Sequence, residues 1–191
     1  MSPDSTPAST PADSSDSSPA SAPISTPASA SAAAYGTPTT TGPQQIRPYQ
    51  AALNRFMRIL LRTPLISRGI GSRLLTITVV GRKTGNAYVI PVSYTRHENY
   101  LLVGTVAKKW VSNLRPGVPV EIRVQGKRQL AEQVVFRDEA NVIELFDIIA
   151  RDNHTNAKFS GIGFNPDGSP NQADLHQAWE LGAAVIRFSL G

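Results

Sequence analysis

Two clusters of cations beside turns are the side chains of this sequence best suited to chemistry. In Gly81-Arg82-Lys83-Thr84-Gly85, two basic residues and a hydroxyl share a glycine-bounded turn. Backbone N–H groups at such a turn point outward, and the combination suits an anion such as a phosphate. The spacing is not that of a Walker loop, and no dinucleotide-type glycine fingerprint leads from a strand into a helix. Taken alone, an exposed hairpin turn with solvated charges explains the pattern as well as an anion site does. The second cluster, Lys108-Lys109, stands immediately before Trp110 and reads more simply as the solvated start of a short helix.

The remaining reactive groups are scattered. His97, His154 and His176 lie far apart and lack the spacing of metal ligands on one element, so no metal site is expected. No serine sits in a nucleophile-elbow pattern, and no pair of carboxylates can be assigned to a cleft. The absence of cysteine excludes disulfides, thiolate zinc sites, iron–sulfur clusters and a cysteine nucleophile. An enzyme made from this chain therefore leaves the reactive chemistry to a bound cofactor and contributes orientation and charge.

The elements that must position these residues are legible from periodicity. Ala52, Leu53, Phe56, Met57, Leu60 and Leu61 recur at helical steps between Pro48 and Arg62, with Arg55, Arg58 and Arg62 on the other face. This basic amphipathic helix, 48–62, could rest on a membrane surface, but packing on its own domain is the commoner use. Leu74–Val80 and Tyr88–Thr95 read as a hairpin around the cationic turn, with Pro91 sending the second strand to a sheet edge or into a bulge. A third strand, Tyr100–Thr105, follows the turn His97-Glu98-Asn99; Lys108–Arg115 is one or two helical turns ended by Pro116-Gly117. Val118–Gln125 and Gln129–Phe136 form a second hairpin, and Asp138 caps a helix from Glu139 to about Asp152. Asn153–Asn171 is polar, glycine-rich and without period, which predicts a long functional or mobile loop. Asp174–Leu181 is a short helix and Ala183–Ser189 a closing strand. Six strands joined by hairpins, with helices between them, predict an α+β protein built on a small antiparallel barrel.

Composition divides the chain. Residues 1–43 are almost entirely Ser, Ala, Pro and Thr, with Asp4, Asp13 and Asp16 the only charges. Such a stretch has little apolar surface to offset its ordering entropy, so it is expected to be a disordered tail that does not contribute to the fold. The remainder, 44–191, holds 19 basic against 11 acidic residues, a net of +8 compared with +5 for the whole chain. No basic-flanked apolar leader, arginine-rich transit segment or run of roughly 20 apolar residues is present, so a cytoplasmic protein is the expectation, with the inner membrane face compatible through helix 48–62. The missing aromatic-rich RNA motif and recognition-helix pattern argue against nucleic acid as partner despite the charge.

The order Leu74-Leu75-Thr76, Gly81-Arg82-Lys83-Thr84-Gly85, Pro91, Trp110, Asn113-Leu114 and the valine-rich strand from Val118 resembles the deazaflavin-dependent nitroreductase family over about residues 46–190. The resemblance implies a six-stranded antiparallel split β-barrel with flanking helices, related to pyridoxamine-phosphate-oxidase-like flavoproteins. It implies binding of coenzyme F420 and hydride transfer from its reduced form to a quinone, or adventitiously to a nitroaromatic. A phosphate and an oligoglutamate tail on that cofactor require a basic groove, which Arg82, Lys83, Lys108, Lys109 and Arg115 can supply. By the same resemblance Arg82, Lys83, Thr84, Trp110 and Asn113 are cofactor-binding residues, and a homodimer is compatible because related barrels often dimerise.

Departures accompany the likeness. Tyr88 stands where relatives usually carry an arginine, Val106-Ala107 replaces a serine-lysine segment, and Ser93 replaces a tyrosine on the substrate side. His176, three residues before a recurrent tryptophan at Trp179, stands where a family tyrosine can face substrate, which makes it the candidate catalytic donor to the acceptor; a surface histidine on a short helix is the plainer reading. The competing functions are an FMN-dependent split barrel, which needs a phosphate site but no tail groove, and a non-catalytic binder of an apolar ligand with 153–171 as its lid.

Overall fold

Alternation along the strands builds a sheet whose two faces are used differently. The computed structural model describes residues 34–43 and 73–190; the amphipathic stretch 48–62 lies outside them. Seven strands appear in chain order: β1 (Leu74–Val80), β2 (Ala87–Ser93), β3 (Thr95–His97), β4 (Tyr100–Val106), β5 (Val120–Val124), β6 (Lys127–Phe136) and β7 (Ala183–Leu190). A short 3₁₀ helix, Lys109–Asn113, follows β4, and three α-helices, α1 (Glu139–Asp152), α2 (His154–Ser160) and α3 (Gln172–Glu180), precede β7.

The strands hydrogen-bond in the order β2-β1-β5-β6-β7-β4-β3, and every pairing is antiparallel. The two edges, β2 and β3, are separated in sequence by Tyr94 alone. A flat sheet of seven strands would hold its edges far apart, so the sheet must curl until they meet, which gives the split barrel. Tyr94 makes the junction: it is buried in the core, and its N–H donates to the carbonyl of Arg73 at 2.9 Å. The six strands expected from the sequence thus become seven. The run Tyr88–Thr95 is continuous in composition, but it changes partner at Tyr94, with β2 pairing β1 and β3 pairing β4. Pro91, which has no N–H to donate, lies on an edge strand as expected.

Inside the curl, Leu75, Ile77, Leu101, Val103, Ile122, Ala184, Ile186 and Phe188 form one core. On the other face, Leu102 of β4 and Ala183 and Val185 of β7 pack against Val142, Phe146, Ile149 and Ala150 of α1, Ala157 of α2 and Leu175 of α3. Strands β4 and β7 are therefore apolar on both faces, as period-two alternation between two cores demands. Gly104 of β4 is fixed by this packing, because a Cβ there would stand 2.6 Å from the ring of Phe146. Helix α1 begins where the sequence places it, with the Asp138 carboxylate accepting from the backbone N–H of Asn141 at 3.1 Å.

Two stretches differ from expectation. Asn153–Asn171 is not one long loop: His154–Ser160 is a helix, and only 161–171 is irregular. Asn153 caps α2 by accepting from the N–H of Asn156 at 2.9 Å, and the helix ends at Gly161 in the left-handed conformation. The turn after it is tied by Asn165, Ser169 and Asn171 to one another. A seven-residue helix is too short to show a period, and side-chain amides that satisfy the backbone read as loop composition. The second difference is in residues 34–43, assigned by composition to the tail. Thr39 and Thr40 are hydrogen-bonded to Asp174, and Tyr35 to Glu139. Composition measures apolar burial; here polar groups make the attachment.

Candidate active site

The turn between β1 and β2 closes through Gly81 N–H to the Asn86 carbonyl at 2.8 Å and Gly85 N–H to the Gly81 carbonyl at 2.9 Å. Gly85 has φ +68°, and a Cβ on Gly81 would press on both Thr84 and Tyr88 at 2.9 Å, so both glycines are required by geometry. The 3₁₀ helix is docked against this turn. Asn113 Oδ1 accepts from the backbone N–H of Arg82 at 3.2 Å, and the Arg82 guanidinium donates to the carbonyl of Ser112 at 3.3 Å. The two cationic features singled out in the sequence are thereby joined into one surface.

That surface is the wall of an open groove of about 1080 Å³ running along β1 and β2. Arg82, Lys83, Thr84, Lys109, Trp110 and Asn113 all line it; Lys108 and Arg115 do not. Lys108 has extended backbone at the start of the 3₁₀ helix, so consecutive side chains diverge there and only Lys109 faces the groove. The Arg115 carbonyl instead accepts from the buried Gln133 amide at 2.6 Å.

Two lining cations, Arg123 and Arg128, were not anticipated. They are register partners on β5 and β6, directly opposite one another. Side chains so placed have Cβ atoms about 4.5–5.5 Å apart, and like charges there repel. Arg123 is steadied by donating from Nε to the carbonyl of Gly126 at 3.0 Å. Arg123 shares the outward face of β5 with Glu121, and Arg128 that of β6 with Leu130, a period-two pattern present in the sequence. Among the described residues the groove thus presents five cations, Arg82, Lys83, Lys109, Arg123 and Arg128, against one carboxylate, Glu121, which accepts from the Thr78 hydroxyl at 3.3 Å. Val79, Val89, Ile90, Pro91 and Trp110 supply an apolar wall.

The departures have structural counterparts. Tyr88 lines the groove with its hydroxyl 3.3 Å from that of Thr84. Ser93 accepts from the Asn156 amide at 2.6 Å and so ties β2 to α2. Ala107 takes φ 48°, with its N–H donating to the Gly182 carbonyl at 3.1 Å. His176 does not line the groove. It is 3 % exposed on α3, stacked on Tyr35 at 4.7 Å between ring centroids, with Nε2 3.5 Å from Glu139 and Nδ1 3.9 Å from Glu180. His176 is thus buried rather than on the surface, and it stands outside the groove lining. The other two histidines are equally remote: His97 is on β3, and His154 packs on Phe164 at 4.6 Å.

Fold and groove together define a split-barrel protein with a basic, apolar-walled trough along β1 and β2. The chain belongs to the F420H(2)-dependent quinone reductase family, whose sequence model matches residues 62–159, a span containing every groove-lining residue. It is accordingly a deazaflavin-dependent oxidoreductase. No curated protein matches the sequence. Among solved structures, the chain is similar to an F420H2-dependent reductase (13% identity over 60% of this chain and 93% of that one, TM-score 0.40). It is similar also to an F420 reductase (14% identity, 70% and 92% covered, TM-score 0.36). A third similar structure is a pyridoxamine 5'-phosphate oxidase-related, FMN-binding protein from Nostoc punctiforme (13% identity, 76% and 82% covered, TM-score 0.41).

Proposed function

We propose that the groove holds F420H2 and that the chain directs its reducing equivalents to a quinone-type acceptor, with nitroaromatics accepted adventitiously. The observation that carries this reading is the lining of the groove, five cations and one carboxylate beside an apolar wall. That donor set fits a cofactor that is flat and aromatic at one end and polyanionic at the other, and the groove is slightly larger than most small-molecule sites, as an extended cofactor requires. Bound there, the deazaflavin supplies the hydride.

The chain's own contribution is placement and charge. Lys83 and Lys109 flank the anion-binding turn with Arg82, whose backbone is held by Asn113. Arg123 and Arg128 continue the positive surface along β5 and β6 and suit the carboxylates of the tail. Trp110 and the β2 wall exclude water from one side of the ring system, and alignment in a dry pocket is what hydride transfer needs from a protein. Lys108 and His176 have no part in this arrangement.

The test is a fluorescence titration with F420 and, in parallel, FMN at low and moderate salt, followed by quinone reduction with the reduced cofactor. F420 binding that weakens with salt, little affinity for FMN, and quinone turnover are expected. Tighter binding of FMN, or F420 affinity indifferent to salt, would overturn the reading.

A further inference from the structure

Asp174 is a carboxylate with no exposure to solvent, and its partners are neutral N–H and O–H groups. A buried charge is tolerated only when its lone pairs are filled. Gly163 N–H donates to Oδ2 at 3.0 Å. The other donors come from more than a hundred residues earlier in the chain. Thr39 gives its N–H to Oδ1 at 2.9 Å and its hydroxyl to Oδ2 at 2.5 Å, and Thr40 gives its N–H to Oδ1 at 3.0 Å. The Thr40 hydroxyl reaches both the Gly161 carbonyl and Oδ1.

The receiving surface is shaped for this segment. Gly163 does not have the positive φ that would by itself demand glycine, yet a Cβ on it would overlap the Thr39 hydroxyl. A Cβ on Gly161 would overlap the backbone of Gly42 and Pro43. At the other end of the segment, Tyr35 lies on the His176 ring with an interplanar angle of 23° and donates from its hydroxyl to Glu139 at 3.0 Å. Two side chains that the cofactor groove does not use, Asp174 and His176, are thus both spent on residues 35–42.

We propose that Gly161, Gly163, Asp174 and His176 form a peptide-docking site, separate from the cofactor groove, whose occupant is the chain's own segment 35–42. The recognised features are an aromatic ring that stacks on the imidazole and a Thr-Thr pair that fills the carboxylate, with glycine following where the strap passes α2. The Ser/Ala/Pro/Thr-rich stretch then divides in function: its last residues are a strap that fills the hydrogen-bonding capacity of the buried Asp174 carboxylate on α3. This site does not depend on the identity of the cofactor or acceptor.

The experiment is hydrogen exchange on the full-length chain, read at the amides of Thr39 and Thr40, with far-UV circular dichroism and F420 titration alongside. The wild type should protect both amides. Thr39→Val/Thr40→Val, which changes only the strap, should speed their exchange by about tenfold or more, the loss expected for charge-assisted hydrogen bonds. Gly163→Ala should do the same from the receiving side. Dichroism and F420 affinity should stay near wild type in the strap variant. Exchange of both amides at the unprotected rate in the folded wild type would overturn the proposal, and so would protection unchanged in the strap variant. If Gly163→Ala fails to fold, the strap variant alone decides.

Discussion

The two halves of the curled sheet are built from the same alternating strands and differ in what covers their outer face. On β4 and β7 the outward residues Leu102, Ala183 and Val185 are apolar and lie under α1, α2 and α3. On β1, β5 and β6 the outward residues include Thr78, Glu121, Arg123 and Arg128, which line the groove, and among the described residues none of them belongs to the core built with α1, α2 and α3. The covered half invests its side chains in a second core, and the other half turns them into the wall of the groove. A single period-two pattern therefore divides stability from chemistry by face and by strand, and the chemistry is found where the outward set turns polar.

The sharpest way to break this comparison is to remove one large side chain from the covered half. Phe146 is 1 % exposed and fills the space that Gly104 leaves. Phe146→Ala should cost about 3–5 kcal/mol of stability, the usual range for emptying a buried aromatic site. Thermal or urea unfolding measures it, and F420 affinity of the folded fraction should be unchanged. A stability loss below about 1 kcal/mol would mean that the helix layer is not a core at all.

How much of this division the sequence shows depends on whether a signal is local. The covered helix α1 is legible because Asp138, its apolar spacing and its length all agree, and the cationic turn is legible because five consecutive residues carry it. Arg123 and Arg128 are harder to see, since their meaning lies in a register between strands rather than in a spacing along the chain. The strap is harder still. Its partners Gly163 and Asp174 are more than a hundred residues away, and a Thr-rich composition carries no trace of a buried carboxylate waiting for donors. His176 is equally illegible: its neighbours are Tyr35, Trp179 and two glutamates, of which Tyr35 and Glu139 are far from it in sequence.

A gentler change sharpens the contrast from the open side. Removing one of two like charges that face each other across β5 and β6 should leave unfolding free energy within about 0.5 kcal/mol of wild type, since no core is touched. The same Arg123→Ala or Arg128→Ala change should weaken F420 binding by about tenfold each, the loss of roughly one exposed charge-assisted contact. The dependence of affinity on salt should become shallower in both variants, measured by titration at two ionic strengths. Affinity and salt dependence equal to wild type would confine the cofactor site to the turn and the 3₁₀ helix.

The smallest effect concerns the seam between the strap and the covered half. Tyr35 has its phenol pushed above the ordinary value, first because its hydroxyl donates to the Glu139 carboxylate, then through burial and the repulsion between the two anions. A group whose value is raised by folding contributes fully below its unfolded value and loses that contribution as pH climbs through the folded one. The melting temperature of wild type should therefore exceed that of Tyr35→Phe by a constant margin at neutral pH, and the margin should shrink between about pH 9 and about pH 11, where an unperturbed phenol near 10 begins to ionise. Because the phenylalanine variant keeps the stack on His176 and loses only the hydroxyl, the absence of a margin at neutral pH would assign the stabilisation to the ring, and a margin that persists unchanged into alkali would show that the hydroxyl does not act as the proton donor to Glu139.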